Sequence, residues 1–595
     1  MKNHDIISAA TTLAATTPKK IHQQEHQQEK ENEKSIIFLS GAVDSVREGT
    51  DVELEFRQLS DFYYLTGVDE SGFCVMIDLQ THLVYLIPPI VPESETVWKG
   101  KPDSSSELLQ KYDVDCILDE KKLSDIIFRQ DYRKVHVLDT FFSSYNNSSN
   151  SSSNFFKKIL LQGESKLLQQ QQLQFDTYTL RLAINEARLT KFPYEIDMIR
   201  QAAVVSSHAH MALWQHRHSF TTEAQLAAYF RWMCACSGLD RQAYIPIVAS
   251  GPRASTLHYT KNKMPLPTGQ QQGVEHTLVL VDAGAEYRYY GSDITRTFPV
   301  SGKFSPEAKT IYNIVLAMQE AVLARLSAGV YWSDMEDLAV QVLCNELIQI
   351  GILIGDQDEL IRLGIPYAFY FHGLGHSVGL DVHDVGGRTA HHSSDKEDHK
   401  LEYSPFMVDR PLEPNMVITV EPGLYFNDAY IRIWSQYPGF AKYFNLKQLQ
   451  RYYPVGGVRI EDSVLITSTG HENLTIAPKQ PEEIETVMSA AAASYSFIPS
   501  SSSSSNYCCV DKSNSPMQCA ATPATPMLVP PFSSGSNHCD NNNTSNTLMD
   551  YHHQQPPASS SFSTTITTNT ANAAATILPT PVSSPLNHSY RFSEE

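Results

Sequence analysis

The chain has no run of 18 consecutive apolar residues, so no membrane-spanning helix is expected. Its start has no hydrophobic segment of signal-peptide type, and the acidic residues there argue against a mitochondrial presequence. Basic residues are in deficit. The 46 Lys and Arg stand against 66 Asp and Glu, a net charge of −20 with a pI near 5.5. An acidic surface repels phosphate backbones, which excludes a general nucleic-acid binder. The nine cysteines form neither a metal-binding CxxC pair nor an even, secreted disulfide framework. Cys234 and Cys236 are too close in sequence to pair easily, and Cys74, Cys116 and Cys344 sit among apolar residues. Reduced thiols and a cytoplasmic location are the expectation.

Apolar residues are also scarce at both ends. Residues 1–35 include "HQQEHQQEKENEK", and residues 491–595 include "SSSSSN", "DNNNTSN" and "SSSFSTTITTNT". Neither segment can bury enough surface to offset the entropy of ordering, so both are expected to be disordered tails. What lies between has the length for two domains. We expect an α/β domain over residues 36–190 and an α+β domain over 191–490. Two biased runs, "SSYNNSSNSSSN" at 143–154 and "LLQQQQLQF" at 167–175, read as surface-loop insertions within residues 143–175.

The first domain alternates short apolar runs ("IIFLSG", "FYYLTG", "FCVMIDL", "LVYLIPP", "KVHVLD") with helical stretches, the pattern of an α/β layer. Lys191-Phe192-Pro193 punctuates the chain before a helix with Ile196, Ile199 and Ala203 in phase, which puts the domain junction there. In the second domain Ser305-Pro306-Glu307 opens a helix carrying Ile311, Val315, Met318 and Val322, and Gly329 is expected to end it. "TLVLVDAG" (277–284), "MVITVEPGLYF" (416–426) and "GGVRIEDSVLIT" (456–467) are expected strands.

Residues 372–384, "HGLGHSVGLDVHD", hold three histidines. His372 and His376 are four apart, the spacing of a helical zinc pair. Gly373, Gly375 and Gly379 make a helix unfavourable, each costing about 1 kcal/mol against alanine. The stretch reads as a loop entering a strand. Four acids lie at expected strand ends: Asp282, Asp293, Glu421 and Glu461. A buried carboxylate is costly unless paired or bound to metal. Brought together with His376, the four would need cations to stay ionised, and two divalent ions would balance them. Oxygen ligands with one imidazole and no thiolate suit Mn²⁺ or Co²⁺, with Zn²⁺ and Fe²⁺ as further choices.

"VDAGAEYRYYGSDITRTFP", "HGLGHSVGLDVHDVGG", "VEPGLYF" and "GGVRIED", in that order, resemble the pita-bread metallopeptidases, in particular Xaa-Pro dipeptidase (prolidase) and Xaa-Pro aminopeptidase. The resemblance implies an N-terminal domain of creatinase/aminopeptidase P type and a pita-bread catalytic domain, and it implies a homodimer. It implies that Asp282 binds one metal, that Asp293 and Glu461 bridge both, and that His376 and Glu421 complete the second. Glu421 would take a proton from the attacking water and His383 would steady the developing oxyanion. His258 and His372 would lie near the substrate, and Tyr244 near the first metal. Arg459 would help hold a dipeptide carboxylate. Arg410 sits closer to Glu421 than the further clamping arginine of prolidases, and Asn415 replaces a glycine, a departure that favours longer peptides. Small peptides with proline second are the implied substrates. Hydrolysis of Xaa-Pro dipeptides ranks first, N-terminal cleavage of longer Xaa-Pro peptides second, and a non-catalytic binding protein last.

Overall fold

Short strands with alternating or continuous apolar residues build the first layer. The computed structural model describes residues 34–138, 173–267, 276–386, 408 and 410–490. The readings for residues 1–33, 143–154, most of 167–175 and 491–595 lie outside the described residues. In the N-terminal domain β1 (Ser35–Ser40), β2 (Cys74–Asp78), β3 (Val84–Ile87), β4 (Cys116–Ile117), β5 (Lys134–His136) and β6 (Gln174–Asp176) form one mixed sheet, ordered β4-β3-β2-β1-β5-β6. Helices α1 (Ser60–Thr66), α2 (Ser105–Lys111) and α3 (Leu123–Arg129) connect them.

Two sequence expectations fail in this domain. "FYYLTG" is the helix α1: Phe62 and Leu65 bury one face at helical spacing, and Gly67, at φ 66°, ends it in the left-handed region. Residues 174 and 175, assigned to a loop insertion, belong to β6, which pairs in parallel with β5 and packs Phe175 on the sheet core. The glutamine-rich composition hid that strand.

Helix α4 (Thr179–Leu189) leads through Lys191 to α5 (Pro193–His216), which starts with proline in its first turn. Ile196, Ile199 and Ala203 of α5 share one core with Phe62 and Leu65 of the first domain and with Leu380 and Val417 of the second. That shared core, with ion pairs such as Arg57 Nε to Glu286 Oε2 at 2.8 Å, packs the domains together.

In the second domain α6 (Glu223–Cys236), β7 (Ile247–Ser250), β8 (Leu278–Asp282), the short hairpin β9 (Glu286–Tyr287) and β10 (Tyr290–Gly291), and β11 (Thr295–Pro299) precede two long helices, α7 (Pro306–Leu323) and α8 (Trp332–Gln349). Ser305 caps α7 by accepting from the Ala308 N–H. Ile311, Val315, Met318 and Val322 are all 0% exposed, each contributing roughly 1.5–3 kcal/mol of hydrophobic stabilisation. The helix stops at Leu323, before Gly329. Residues beyond it are tied elsewhere: Gly329 N–H donates to Leu412 O, and Leu412 N–H to Val330 O. β8 lies between β11 and β7, both antiparallel to it. The remaining strands are β12 (Val417–Val420), β13 (Gly423–Tyr425), β14 (Gly457–Arg459), β15 (Asp462–Thr467) and β16 (Gly470–Asn473).

The five described cysteines, including Cys74, Cys234 and Cys344 in the core, are free thiols. Among the described residues no helix is long and apolar enough to cross a membrane.

Candidate metal centre

The segments 416–426 and 456–467 are each two strands, broken at the acid that sequence singles out. β12 pairs with β15 in one sheet and β13 with β14 in another. The breaks fall at Glu421-Pro422 and Ile460-Glu461, opposite each other. Pro422 has no N–H, so the ladder cannot run through. The freed groups bond outward: Glu421 N–H donates to Leu374 O at 2.8 Å, and Glu461 N–H to Thr295 O at 3.1 Å. The break thus staples one acid to the histidine loop and the other to β11. Asp282 ends β8, paired in register with Thr295, and Asp293 lies just before β11.

The histidine loop is neither helix nor strand. It runs along β12, with Val378 N–H donating to Val417 O and Thr419 N–H to His376 O. Gly375 makes this approach necessary: a Cβ there would lie 2.1 Å from Thr419 O. The expected entry into a strand is replaced by a single bridge, Ser377 to Ile418.

These segments bring all five candidate ligands together. Ligand atoms of Asp293, His376 and Glu461 lie within 4.8 Å of one another. His376 Nε2 is 3.4 Å from Asp293 Oδ2 and 3.4 Å from Glu421 Oε1. Its Nδ1 faces Ser377 O at 3.0 Å, which leaves Nε2 as the nitrogen aimed at the acids. Asp282 joins through Tyr244, whose hydroxyl oxygen is 2.6 Å from both Asp282 Oδ1 and Asp293 Oδ1. Thr295 donates to Glu461 Oε2 at 2.6 Å, and Thr419 to Glu421 Oε1 at 3.3 Å.

Electrostatically the cluster is short of positive charge. Burial, then the neighbouring acids, push Glu461 well above the usual carboxylate range. Burial likewise raises Asp282 against the pull of Arg459, and lifts Glu421 to about 7 although His376 draws it down. Asp293 alone is lowered: its bonds to His376 and Tyr244 outweigh burial. Burial opposes the charged form of His376, but Asp293 and Glu421 hold it up at about 9. Three buried carboxylates, the half-buried Glu421 and one imidazole, frustrated in this way, are a donor set that fits divalent cations.

The other predicted residues divide. His383 is exposed beside the cluster, its ring edge-on to His376 at 4.4 Å. Desolvation of its ring where it meets the cluster, then the charge of His376, pulls it down to about 4, so it is neutral at physiological pH. His258 is exposed on the same side, close enough for its charge to lower both His372 and His383. His372 has both nitrogens engaged: Nδ1 faces Gly373 O at 2.8 Å, and Nε2 faces the Tyr425 hydroxyl at 2.7 Å.

The side chain of Arg459 lies against Asp282. It is 5% exposed and donates to Asp282 Oδ2 at 2.5 Å, Tyr425 Oη at 3.0 Å and Thr295 Oγ1 at 3.1 Å. Arg410 is held by both oxygens of Glu186 at 2.9 Å and by Glu413. Asn415 adopts φ 71°, the conformation that suits the glycine it replaces, and asparagine tolerates it better than most residues. Sequence reasoning missed Tyr425, which links Arg459 to His372. Its position three residues after a strand break carries no signal of its own.

The class of protein follows from this centre and from similarity. Residues 197–468 match metallopeptidase family M24, and residues 19–136 match the aminopeptidase P N-terminal domain. The chain is 39% identical to the probable Xaa-Pro aminopeptidase PEPP of Paracoccidioides brasiliensis over 488 residues, 80% of this chain and 98% of that one. It is 38% identical to a probable Xaa-Pro aminopeptidase of Fusarium vanettenii, with 80% and 98% covered. Zinc-substituted E. coli aminopeptidase P in complex with product superposes with a TM-score of 0.65 at 29% identity, covering 83% of this chain and 99% of that one. Proline aminopeptidase P II from Yersinia pestis gives 0.64 at 28%, with 82% and 99% covered. The chain belongs to metallopeptidase family M24, the pita-bread peptidases, and is a metal-dependent peptidase of the Xaa-Pro aminopeptidase group within it. The ranking of dipeptidase first is not upheld, because the relatives carry the name of its alternative.

Proposed function

We propose that this peptidase releases the N-terminal residue from peptides whose second residue is proline, acting on chains longer than a dipeptide. The observation that carries this reading is the commitment of both candidate carboxylate clamps: Arg459 to Asp282 and Arg410 to Glu186. Neither is free to grip the C-terminus of a dipeptide, and the names of the relatives point the same way.

Asp282, Asp293, His376, Glu421 and Glu461 are the residues that would hold two divalent cations. Mn²⁺ is our first choice for so oxygen-rich a set, ahead of Co²⁺, Zn²⁺ and Fe²⁺. When bound, such ions supply Lewis acidity and a water that ionises near neutral pH. Glu421 accepts the proton of the attacking water. His383, neutral and exposed, donates to the carbonyl oxygen as it gains charge. His258 lies on the substrate side with it.

His372 orients the site and does not itself react. A neutral ring whose Nδ1 donates to Gly373 O must accept at Nε2 from Tyr425, and Tyr425 in turn accepts from Arg459. That chain fixes the guanidinium that holds Asp282. The bond before proline has no N–H, so recognition relies on the shape of the pyrrolidine ring. A homodimer and a cytoplasmic location belong to the same proposal, and light scattering and cell fractionation test them.

Purified protein loaded with Mn²⁺ should be assayed on Gly-Pro and on a longer peptide beginning Gly-Pro. We expect the longer peptide to be cut faster, with free glycine as product. Faster cleavage of Gly-Pro would return the assignment to a dipeptidase.

A further inference from the structure

A second cluster of charged side chains lies behind the histidine loop, outside the metal set. Lys191 stands in the short turn between α4 and α5, at the junction of the domains. Its side chain is 1% exposed. The ammonium lies 3.1 Å from Asp384 Oδ2, 3.3 Å from Ser377 Oγ and 3.2 Å from Leu189 O. An ammonium has three N–H donors, and these three acceptors use them all. Asp384, also 1% exposed, receives Arg188 Nη2 on its other oxygen at 2.5 Å. Arg188 extends the network to Asp61 and Asp381.

The acceptors of Lys191 are placed in a telling way. Ser377 directly follows His376, and Asp384 directly follows His383. Asp384 N–H also donates to Ser377 O at 2.9 Å, closing the loop between the two histidines. The His376 end has its own anchors on β12, including His376 N–H to Thr419 Oγ1 at 2.9 Å. The His383 end is held through the Asp384 carboxylate, by two cations that both come from the interdomain segment. The chain leaves room for this: at Gly379 a Cβ would lie 2.1 Å from Asp384 Oδ2 and 3.1 Å from Lys191 Cε.

Burying an ammonium against a carboxylate is a weak way to gain stability, because desolvation opposes the attraction. It is a strong way to fix geometry. We infer that Lys191 is a positioning residue that holds His383 in its working orientation by fixing Asp384, so that the domain junction sets the geometry of the catalytic histidine. This rests on the proposed role of His383 at the scissile carbonyl.

The test is a double-mutant cycle on the full-length, Mn²⁺-loaded enzyme with a peptide carrying proline second. Wild type, Lys191→Met, His383→Ala and the double variant are compared in kcat, KM and metal content. Lys191→Met is expected to lower kcat about 10- to 100-fold, as loss of an orienting partner does, with KM and metal content little changed. In the His383→Ala background the same substitution is expected to cost less than about twofold, because the group it positions is gone. Equal losses in both backgrounds, or no loss in wild type, would overturn the inference alone. If Lys191→Met does not fold, Asp384→Asn, which keeps the shape of the side chain, passes through the same cycle with the same two outcomes. A His383→Ala enzyme as fast as wild type would overturn the role of His383 and the inference with it.

Discussion

Replacing Tyr244 with phenylalanine removes a single oxygen, and the account assigns that oxygen a measurable task. It lies 2.6 Å from Asp282 Oδ1 and 2.6 Å from Asp293 Oδ1, between two candidate ligands, one ending β8 and the other just before β11. One hydroxyl carries one proton, so the substitution removes one charge-assisted hydrogen bond, not two. Such a bond contributes about 1.5–3 kcal/mol. If that free energy orients the carboxylates for metal, its loss weakens Mn²⁺ binding roughly 10- to 150-fold, at 1.4 kcal/mol per factor of ten. The phenyl ring keeps the packing, so the fold should survive. Competition against a metal-binding dye at equilibrium, with wild type alongside, measures the change. Affinity within about twofold of wild type would refute the reasoning, since an orienting partner normally costs tenfold or more.

Three further outcomes are expected. Asp293→Asn should lose metal and activity together, because an amide cannot replace an anionic ligand facing both Tyr244 and His376; full metal content in this variant would show the ligand set to be wrong. His383→Ala should keep its metal and lose kcat, and normal turnover would remove its role. The third concerns pH. In the metal-free protein Glu421 is raised to about 7, mainly by burial, and His376 to about 9 by Asp293 and Glu421 acting against burial. Both folded values exceed the unfolded ones, so the stability they contribute is present at low pH. It is lost as pH rises from 4.5 to about 7 for Glu421 and from 6.5 to about 9 for His376. The thermal midpoint of metal-free protein should therefore fall over that window, and bound metal should remove the fall. A midpoint flat with pH in the absence of metal would contradict the cluster as described.

Asp282 and Glu421 stood out in the sequence because each sits beside a continuous apolar run, where a lone acid has no cheap explanation; the full candidate set, with Asp293, Glu461 and His376, rested on the resemblance. The geometry that gathers them was not legible. "VITVEPGLYF" reads as one strand, and its break at Glu421-Pro422 depends on the matching break at Ile460-Glu461 in a distant segment. The same limit hid Tyr425, whose partners Arg459 and His372 lie far from it in sequence. It also hid the partnership of Lys191 with Asp384, residues 193 positions apart that both sit in the core. "FYYLTG" misled for a local reason: aromatic residues suit strands, but burial at positions three apart and a left-handed Gly67 made a helix. Arginines were the least legible of all. Arg459 was read through its likeness to a clamping arginine and Arg410 as displaced from one; only the fold revealed Asp282 and Glu186 beside them.

The central claim is that four carboxylates and His376 form a two-metal peptidase centre. The most direct measurement is the metal content of chelator-treated and reloaded protein, read by mass spectrometry against hydrolysis of an Xaa-Pro peptide in the same samples. The account predicts that activity disappears with the metal and returns as Mn²⁺ approaches two ions per chain. Undiminished hydrolysis by protein stripped of divalent ions would contradict it.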